Sequence, residues 1–528
     1  MRNKIQQGNH TSKVAPYQLM LPLELEVKIE ASEAVRLMLK ITERLDYSKL
    51  EASYIRKPSE SEATAKQMFQ LVTLGFMEGY YSTRKLESAC KNDIRFMYIL
   101  RGRKAPDHNR FWSFVKHGLQ GEVAEHLFYQ VASYLEEAGE IDYTNVFIDG
   151  TKIEANANKY SFVWKRSTNK YEARLDIKTE KLLAEIAREY PEIKSTTTAE
   201  ECLTYLKSKA ESKNIAFVYG RGKRKTGLQR HIETIESYLI RKSKYQGYNQ
   251  TFNNRNSFSK TDTDATFMRM KDDHMMNGQL KPAYNLQLAV EGEYIVGLDI
   301  SSERSDMATL VPLLERMEKG SGKKHENVTV DAGYESEENY KALKSRNQTA
   351  YIKPANYEKS KKRKYKTNAY LRENMPYDSV TDTYTCPQGN LFSYIYTTTR
   401  KSSNGFESTI TVYECHGCMD CPQKKLCTRA KGNRRIQVSK DFIALRNESL
   451  ARITSDNGKL LRLNRSIQSE GTFGVLKQDY GFKRFFRRGA NNVFTEATIF
   501  AIAYNINKLH GKMKRKFSGV IIHKLNSA

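Results

Sequence analysis

The chain of 528 residues has little proline (11) and only an ordinary share of glycine (29), which excludes a collagen-like or low-complexity disordered chain. Long apolar runs are also missing. The longest stretches, such as Ala497 to Ile506, fall well short of the roughly 20 residues a membrane span requires. Residues 1–13 are polar and no apolar segment follows a basic start, so no secretory leader is expected. Cysteine is scarce and odd in number, seven in all, and five of these fall between Cys386 and Cys427. That clustering argues against a disulfide scaffold and for a metal site in a reducing compartment. Acid is in short supply against base: 61 Asp+Glu face 87 Lys+Arg, leaving a net charge of +26. Such an excess attracts polyanions, with nucleic acid the leading partner. A cytosolic, nucleic-acid-facing protein without membrane contact is the resulting frame.

What is present suffices for a large core, with 39% apolar and 11% aromatic residues. At roughly 150 residues per domain the length suggests three or four structural units. From Ala31 to Gly139 the periodicity is helical. Phe69, Val72 and Phe76 mark one stripe over Ala65 to Met77, Ser82 is a candidate N-cap, and Pro106-Asp107-His108-Asn109 opens another helix. A helix-turn-helix and any small helical bundle both give this pattern. A β-rich run, Tyr143 to Ile148, then ends at Asp149 and Gly150. Residues 166–265 read as a polar helical insertion. A hairpin is expected over Tyr284 to Val290 and Tyr294 to Ile300, followed by a helix from Asp306 to Met317. Strands are expected at Asn327 to Val330 and Ala350 to Lys353. The last helix, Asn491 to Leu509, is apolar nearly all round and should be buried. The expected division is thus 1–140 (helical, DNA-binding), 141–165 and 266–355 (an α/β core), 166–265 (helical insertion), 356–440 (basic loop and cysteine-rich insertion) and 441–528 (C-terminal helices).

Three features carry chemistry. Asp149 and Asp331 each end an apolar run, Val146-Phe147-Ile148 and Val328-Thr329-Val330. A buried strand-end carboxylate is costly unless a counter-charge offsets it, and a divalent cation does so well; a turn-starting Asp reads the same way. Glu470 lies in a helix expected over Leu461 to Gln478, with Lys477 two turns beyond on the same face. Second, Cys415-x2-Cys418-x2-Cys421-x5-Cys427, preceded by Cys386, has thiols at chelate spacing. Four of the five suit tetrahedral Zn²⁺ in a structural role, ahead of an iron–sulfur cluster or unmetallated buried thiols. Third, cations cluster at Lys361, Lys362, Arg363 and Lys364, and at Lys483, Arg484, Arg487 and Arg488. The second cluster encloses Phe485 and Phe486, a composition suited to phosphate contact with stacking on an unpaired base.

Phe147-Ile148-Asp149-Gly150-Thr151-Lys152, Val330-Asp331-Ala332-Gly333-Tyr334 and Glu470 through Lys477 together resemble DDE transposases of bacterial insertion sequences. Gly79 to Glu87 and Pro106 to Asn109 resemble the InsH-type N-terminal domain of the same group. The resemblance implies an RNase H-like core with Asp149, Asp331 and Glu470 as an acidic triad holding catalytic Mg²⁺ or Mn²⁺. Asp149 would lie between two ions, with Asp331 on one and Glu470 on the other. It implies binding of double-stranded DNA at terminal inverted repeats and in the target, strand cleavage and transfer, and a homodimer that brings two ends together. Many such enzymes carry Tyr-x2-Arg-x3-Glu-x6-Lys around the glutamate. Lys477 fits the second half, whereas Arg465 stands five residues before Glu470 instead of four and no tyrosine precedes it at the required place. The competing readings are an RNase H-like metal-dependent nuclease without strand transfer, and a DNA-binding protein that no longer cuts.

Overall fold

The computed structural model describes residues 28–54, 59–193, 197–220, 222–270, 278–402 and 404–524. Its central sheet is built from the runs richest in β-branched and apolar residues. These are β1 (Asn145–Glu154), β2 (Leu280–Glu291), β3 (Tyr294–Ser301), β4 (Asn327–Val330) and β5 (Thr349–Ile352). Their spatial order is β3-β2-β1-β4-β5, and a short strand, Thr266–Arg269, pairs with the first residues of β2. The β3-β2-β1 half is antiparallel and the β1-β4-β5 half parallel. The turn between β2 and β3 is Gly292-Glu293, both at positive φ (57° and 70°), the two-residue geometry that matches strand twist.

The expected end of β1 at Asp149 is corrected: the strand runs on to Glu154. Its partner β2 is long enough to pair from Phe147 opposite Val290 through Glu154 opposite Ala283, so Asp149 lies inside the strand. A long partner supplies hydrogen bonds that carry even Gly150-Thr151-Lys152 in extended form. The mixed α/β class is as expected.

Among the described residues, seven helices between Ala34 and Glu137 pack into the same continuous core as this sheet. Ala65–Met77 opens on a capping box of Thr64 and Gln67, and Asp107 caps the next turn by accepting from Arg110 N at 2.7 Å. The C-terminal helix, Ala490–Lys514, is buried nearly all round, as its composition requires. Its Asn505 side chain bonds both backbone groups of Ile295 on β3, at 2.8 and 2.7 Å. Between β1 and β2, helices Lys165–Glu189, Ala199–Ser212 and Gly227–Phe252 form an arm with its own small core around Ile186, Cys202, Leu206 and Ile232. A second antiparallel sheet of five strands, centred on Leu391–Lys401 and Glu407–Cys415, precedes the helices that carry Glu470. Among the described residues, no helix is long and apolar enough to cross a membrane.

Candidate active site

Parallel pairing of β1 with β4 brings the first two carboxylates together. Phe147 is the partner of Thr329, and Asp149 and Asp331 each lie two residues further on. With a side-chain period of two, both carboxylates project on one face, from neighbouring strands. Asp149 is buried; Asp331 is half-buried and accepts from Gly333 N at 2.8 Å. Gly333 also leaves necessary room: a Cβ there would lie 3.0 Å from an Asp331 carboxylate oxygen and 3.5 Å from one of Asp306. Beneath them Tyr334 is fully buried, and its hydroxyl donates to Gln287 Oε1 on β2. Burial holds this phenol well above its usual range, reinforced by the charges of Asp306, Asp149 and Asp331.

Glu470 reaches the same place by an irregular helix. The single helix expected over Leu461 to Gln478 is instead Asp456–Arg465, a π-helical turn Ser466–Glu470, an α turn Gly471–Gly474 and a second π turn Val475–Asp479. Gly471 and Gly474 lower the helix propensity where regularity is lost. In a π turn residues five apart share a face. Arg465 consequently stands 3.4 Å from Glu470 and 3.5 Å from Asp149, with its side chain mostly covered. The irregular spacing that set Arg465 aside in the sequence is absorbed by the widened turn. Lys477 is half-buried in the second π turn.

The basic segment after this helix lies against the end of β1. Glu154 N donates to Lys483 O at 3.2 Å and Phe485 N to Glu154 O at 2.9 Å, a parallel bridge. Arg484 and Arg488 donate to the carbonyls of Ala157 and Asn156 and are otherwise exposed, as is Lys483. The side chains of this segment differ in burial. Arg487 is drawn inward, where burial lowers its pKa while the carboxylate of Glu496 pulls the other way. Phe485 is a core residue, 1% exposed, whereas Phe486 is half exposed at 51% and tilts against Tyr81 of the N-terminal helices at 5.7 Å. Lys361, Lys362, Arg363 and Lys364 lie exposed on and beside the short helical turns Tyr357–Ser360 and Arg363–Lys366, rather than in an open loop.

Cys386, Cys415, Cys418, Cys421 and Cys427 line one cavity at the base of the second sheet. Among the described residues, however, no three or more His, Cys, Asp or Glu side chains are arranged to hold a metal ion, here or at the carboxylates. The thiol surroundings differ. Cys386 Sγ accepts from Gln388 N and Asn390 N, both at 3.3 Å, and Cys427 Sγ from Arg434 at 2.9 Å. Cys415 is buried, and burial with the neighbouring sulfurs of Cys418 and Cys386 pushes its thiol up. Cys90 and Cys202 are buried among apolar neighbours, as expected. Two other carboxylates of the sheet, Glu154 and Asp299, pair with Lys281 and Arg316 at 3.0 and 3.1 Å.

Two family models match the chain: Transposase DDE domain over residues 385–510, and Transposase domain (DUF772) over residues 23–117. Together they indicate a DDE transposase of the insertion-sequence type. The first match takes in the cysteines, Glu470, Lys477 and the basic segment; Asp149 and Asp331 lie ahead of it. A DDE domain implies an RNase H-like core, and the two matches indicate DNA transposase activity. Neither a curated protein nor a solved structure matched. Asp306, Asn285 and Gln287, on β2 and in the turn after β3, form a hydrogen-bonded group beside these residues that no sequence motif marks. Only the charge of Asp306 after an expected strand gave any signal.

Proposed function

We propose that this transposase binds the terminal inverted repeats of its element as a homodimer in the bacterial cytoplasm, cleaves the DNA strands and joins the 3′ ends to target DNA, using Asp149, Asp331 and Glu470 as its acidic triad. The observation that carries the reading is the placement of Asp149 and Asp331, each two residues beyond the paired Phe147 and Thr329 of neighbouring strands, with Arg465 reaching both Asp149 and Glu470. These donors fit a hard divalent cation, which prefers carboxylate oxygens. Mg²⁺ or Mn²⁺, when bound, supplies Lewis-acid stabilisation of charge on the phosphate oxygens. Arg465 meanwhile offsets part of the negative charge between Asp149 and Glu470. Lys477, Lys483, Arg484 and Arg488 hold the DNA backbone near the cut, Phe486 stacks on an end base, and Lys361, Lys362, Arg363 and Lys364 contact phosphate further out. Four of the five clustered cysteines hold a structural Zn²⁺. Their shared cavity supports this.

Asp149→Asn, Asp331→Asn and Glu470→Gln, each keeping side-chain volume but losing charge, should abolish cleavage of end-bearing DNA while leaving DNA binding nearly intact. Full cleavage by any one variant removes that residue from the triad. Joined products distinguish transposition from simple hydrolysis by an RNase H-like nuclease, and absence of any metal-dependent nicking would identify a silent DNA-binding protein.

A further inference from the structure

Residues 517–524 form neither helix nor strand, yet they are fastened to the core at three successive points. Gly519 N donates to Glu140 Oε1 at 3.1 Å, and the other oxygen of Glu140 accepts from the buried Lys512 Nζ at 2.7 Å. Ile521 O accepts from Gln468 Nε2 at 2.9 Å. His523 exchanges two hydrogen bonds with one side chain: its N donates to Asn464 Oδ1 at 2.7 Å and its O accepts from Asn464 Nδ2 at 2.8 Å. Between these points Ile522 packs against the cluster of Phe147, Tyr351, Ile453 and Leu461. Asn464 and Gln468 are 0% and 1% exposed, and Gln468 Oε1 also accepts from Glu293 N in the β2–β3 turn at 2.9 Å. One buried amide thus joins the helix, the hairpin and the end of the chain.

These contacts fall on both sides of the site. Asn464 immediately precedes Arg465, and Gln468 lies inside the π turn Ser466–Glu470. Phe147, which Ile522 approaches, stands two residues before Asp149 on β1. The segment therefore spans the same gap that the Arg465 guanidinium crosses. A π turn is a rare form, and with Gly471 directly after it this one needs support from outside the helix. Buried side-chain amides that reach a backbone segment give such support, because any displacement would leave their donors and acceptors unpaired. We propose that Gly519–His523 is a strap that fixes the Glu470 turn against β1, with Asn464, Gln468 and Ile522 as positioning residues for strand cleavage. The proposal rests on the acidic-triad reading above and adds what holds the third carboxylate in place. A displacement of about 1 Å at a reacting centre can cost on the order of 100-fold in rate, so the strap acts on the chemical step and not on DNA affinity.

The test uses full-length variants on end-bearing DNA with Mg²⁺, well below the melting temperature of each, and reads the single-turnover cleavage rate and the DNA Kd separately. Asn464→Ala and Gln468→Leu should each slow cleavage about tenfold, and Ile522→Ala about threefold, with Kd within about twofold of the parent chain. Asn464→Ala and Ile522→Ala release the same strap, so together they should cleave at about the rate of Asn464→Ala alone instead of multiplying their losses. Parent cleavage rates in Asn464→Ala and Ile522→Ala, beside an inactive Glu470→Gln, overturn the proposal and leave the triad standing. So do losses that multiply in the double variant, losses that appear in Kd with the rate unchanged, or failure of both single variants to fold, because a mere scaffold predicts these. A parent rate in Gln468→Leu removes that residue from the positioning set. Full cleavage by Glu470→Gln, or none by the unaltered chain, overturns the triad reading instead.

Discussion

The guanidinium of Arg465 lies 3.5 Å from the carboxylate of Asp149, across the gap between a central strand and an irregular helix. The same group reaches Glu470, so one cation ties the first carboxylate of the site to the last. The contact depends on a π turn, which places residues five apart on one face.

Phe485 and Phe486 are neighbours with opposite fates. Phe485 packs against Tyr284 and Phe482, so Phe485→Ala should cost about 3–5 kcal/mol of stability, read as a large fall in melting temperature. Phe486→Ala should melt within a degree or two of the parent chain. Its loss should appear in binding of a pre-cut DNA end, by roughly 1–3 kcal/mol per unstacked base. Equal melting losses in both variants would place Phe486 in the core as well.

Salt dependence measures the phosphate contacts. Each neutralised phosphate contributes about −0.9 to the slope of log K against log salt. Replacing Lys483, Arg484 and Arg488 together with Ala should flatten that slope by about two to three units. Specific and non-specific binding should weaken alike, since phosphate contacts carry no direct sequence information. Arg487→Ala should leave the slope unchanged. An unaltered slope in the triple variant would transfer the role to the cluster around Lys361 to Lys364.

Glu496 gives the fold a pH dependence. It is buried and accepts from Phe486 N at 3.0 Å and from Arg487 N at 3.0 Å. Burial pushes its carboxyl up to about 7 from the ordinary 4.5, despite those donors. The folded chain therefore binds this proton more tightly than the unfolded chain. The resulting stability, on the order of 3 kcal/mol, is complete below about pH 4.5 and is lost as pH rises towards about 7. Glu496→Gln cannot titrate, and its denaturant midpoint should lose that part of the pH dependence. An identical pH profile in the variant and the parent would exclude Glu496 as the source.

The cysteines are tested by composition and folding together. About one zinc per chain is expected from elemental analysis. It should be lost together with local structure in the second sheet when Cys418 and Cys421 are both changed to Ser, because structural zinc contributes folding energy. Iron, or no metal, excludes the zinc assignment.

Strand positions were legible where apolar and β-branched residues run together: Asn327 to Val330 is read to the residue, and the β2–β3 hairpin nearly so. The extent of β1 was not, because it is set by the length of a partner more than a hundred residues away. Asp149, Asp331 and Glu470 stood out from sequence patterns and resemblance. Asp306 did not, since the amides that orient it sit on another strand and only folding brings them near. The place of Arg465 was hidden for a local reason: ideal helical spacing separates it from Glu470, and only the π turn reunites them.

The helical arm leaves and re-enters the core at a single point. Phe162–Trp164 pairs antiparallel with Ser257–Ser259, and Lys165 N donates to Asn256 O at 3.0 Å, so the two ends of the arm are fastened side by side at its root. Whatever lies beyond that clasp is free to lengthen, shorten or be exchanged for another fold without altering how β1 and β2 align. The arm is thus an interchangeable fitting, and natural variation or grafting can re-equip it while the strand bearing Asp149 keeps its register.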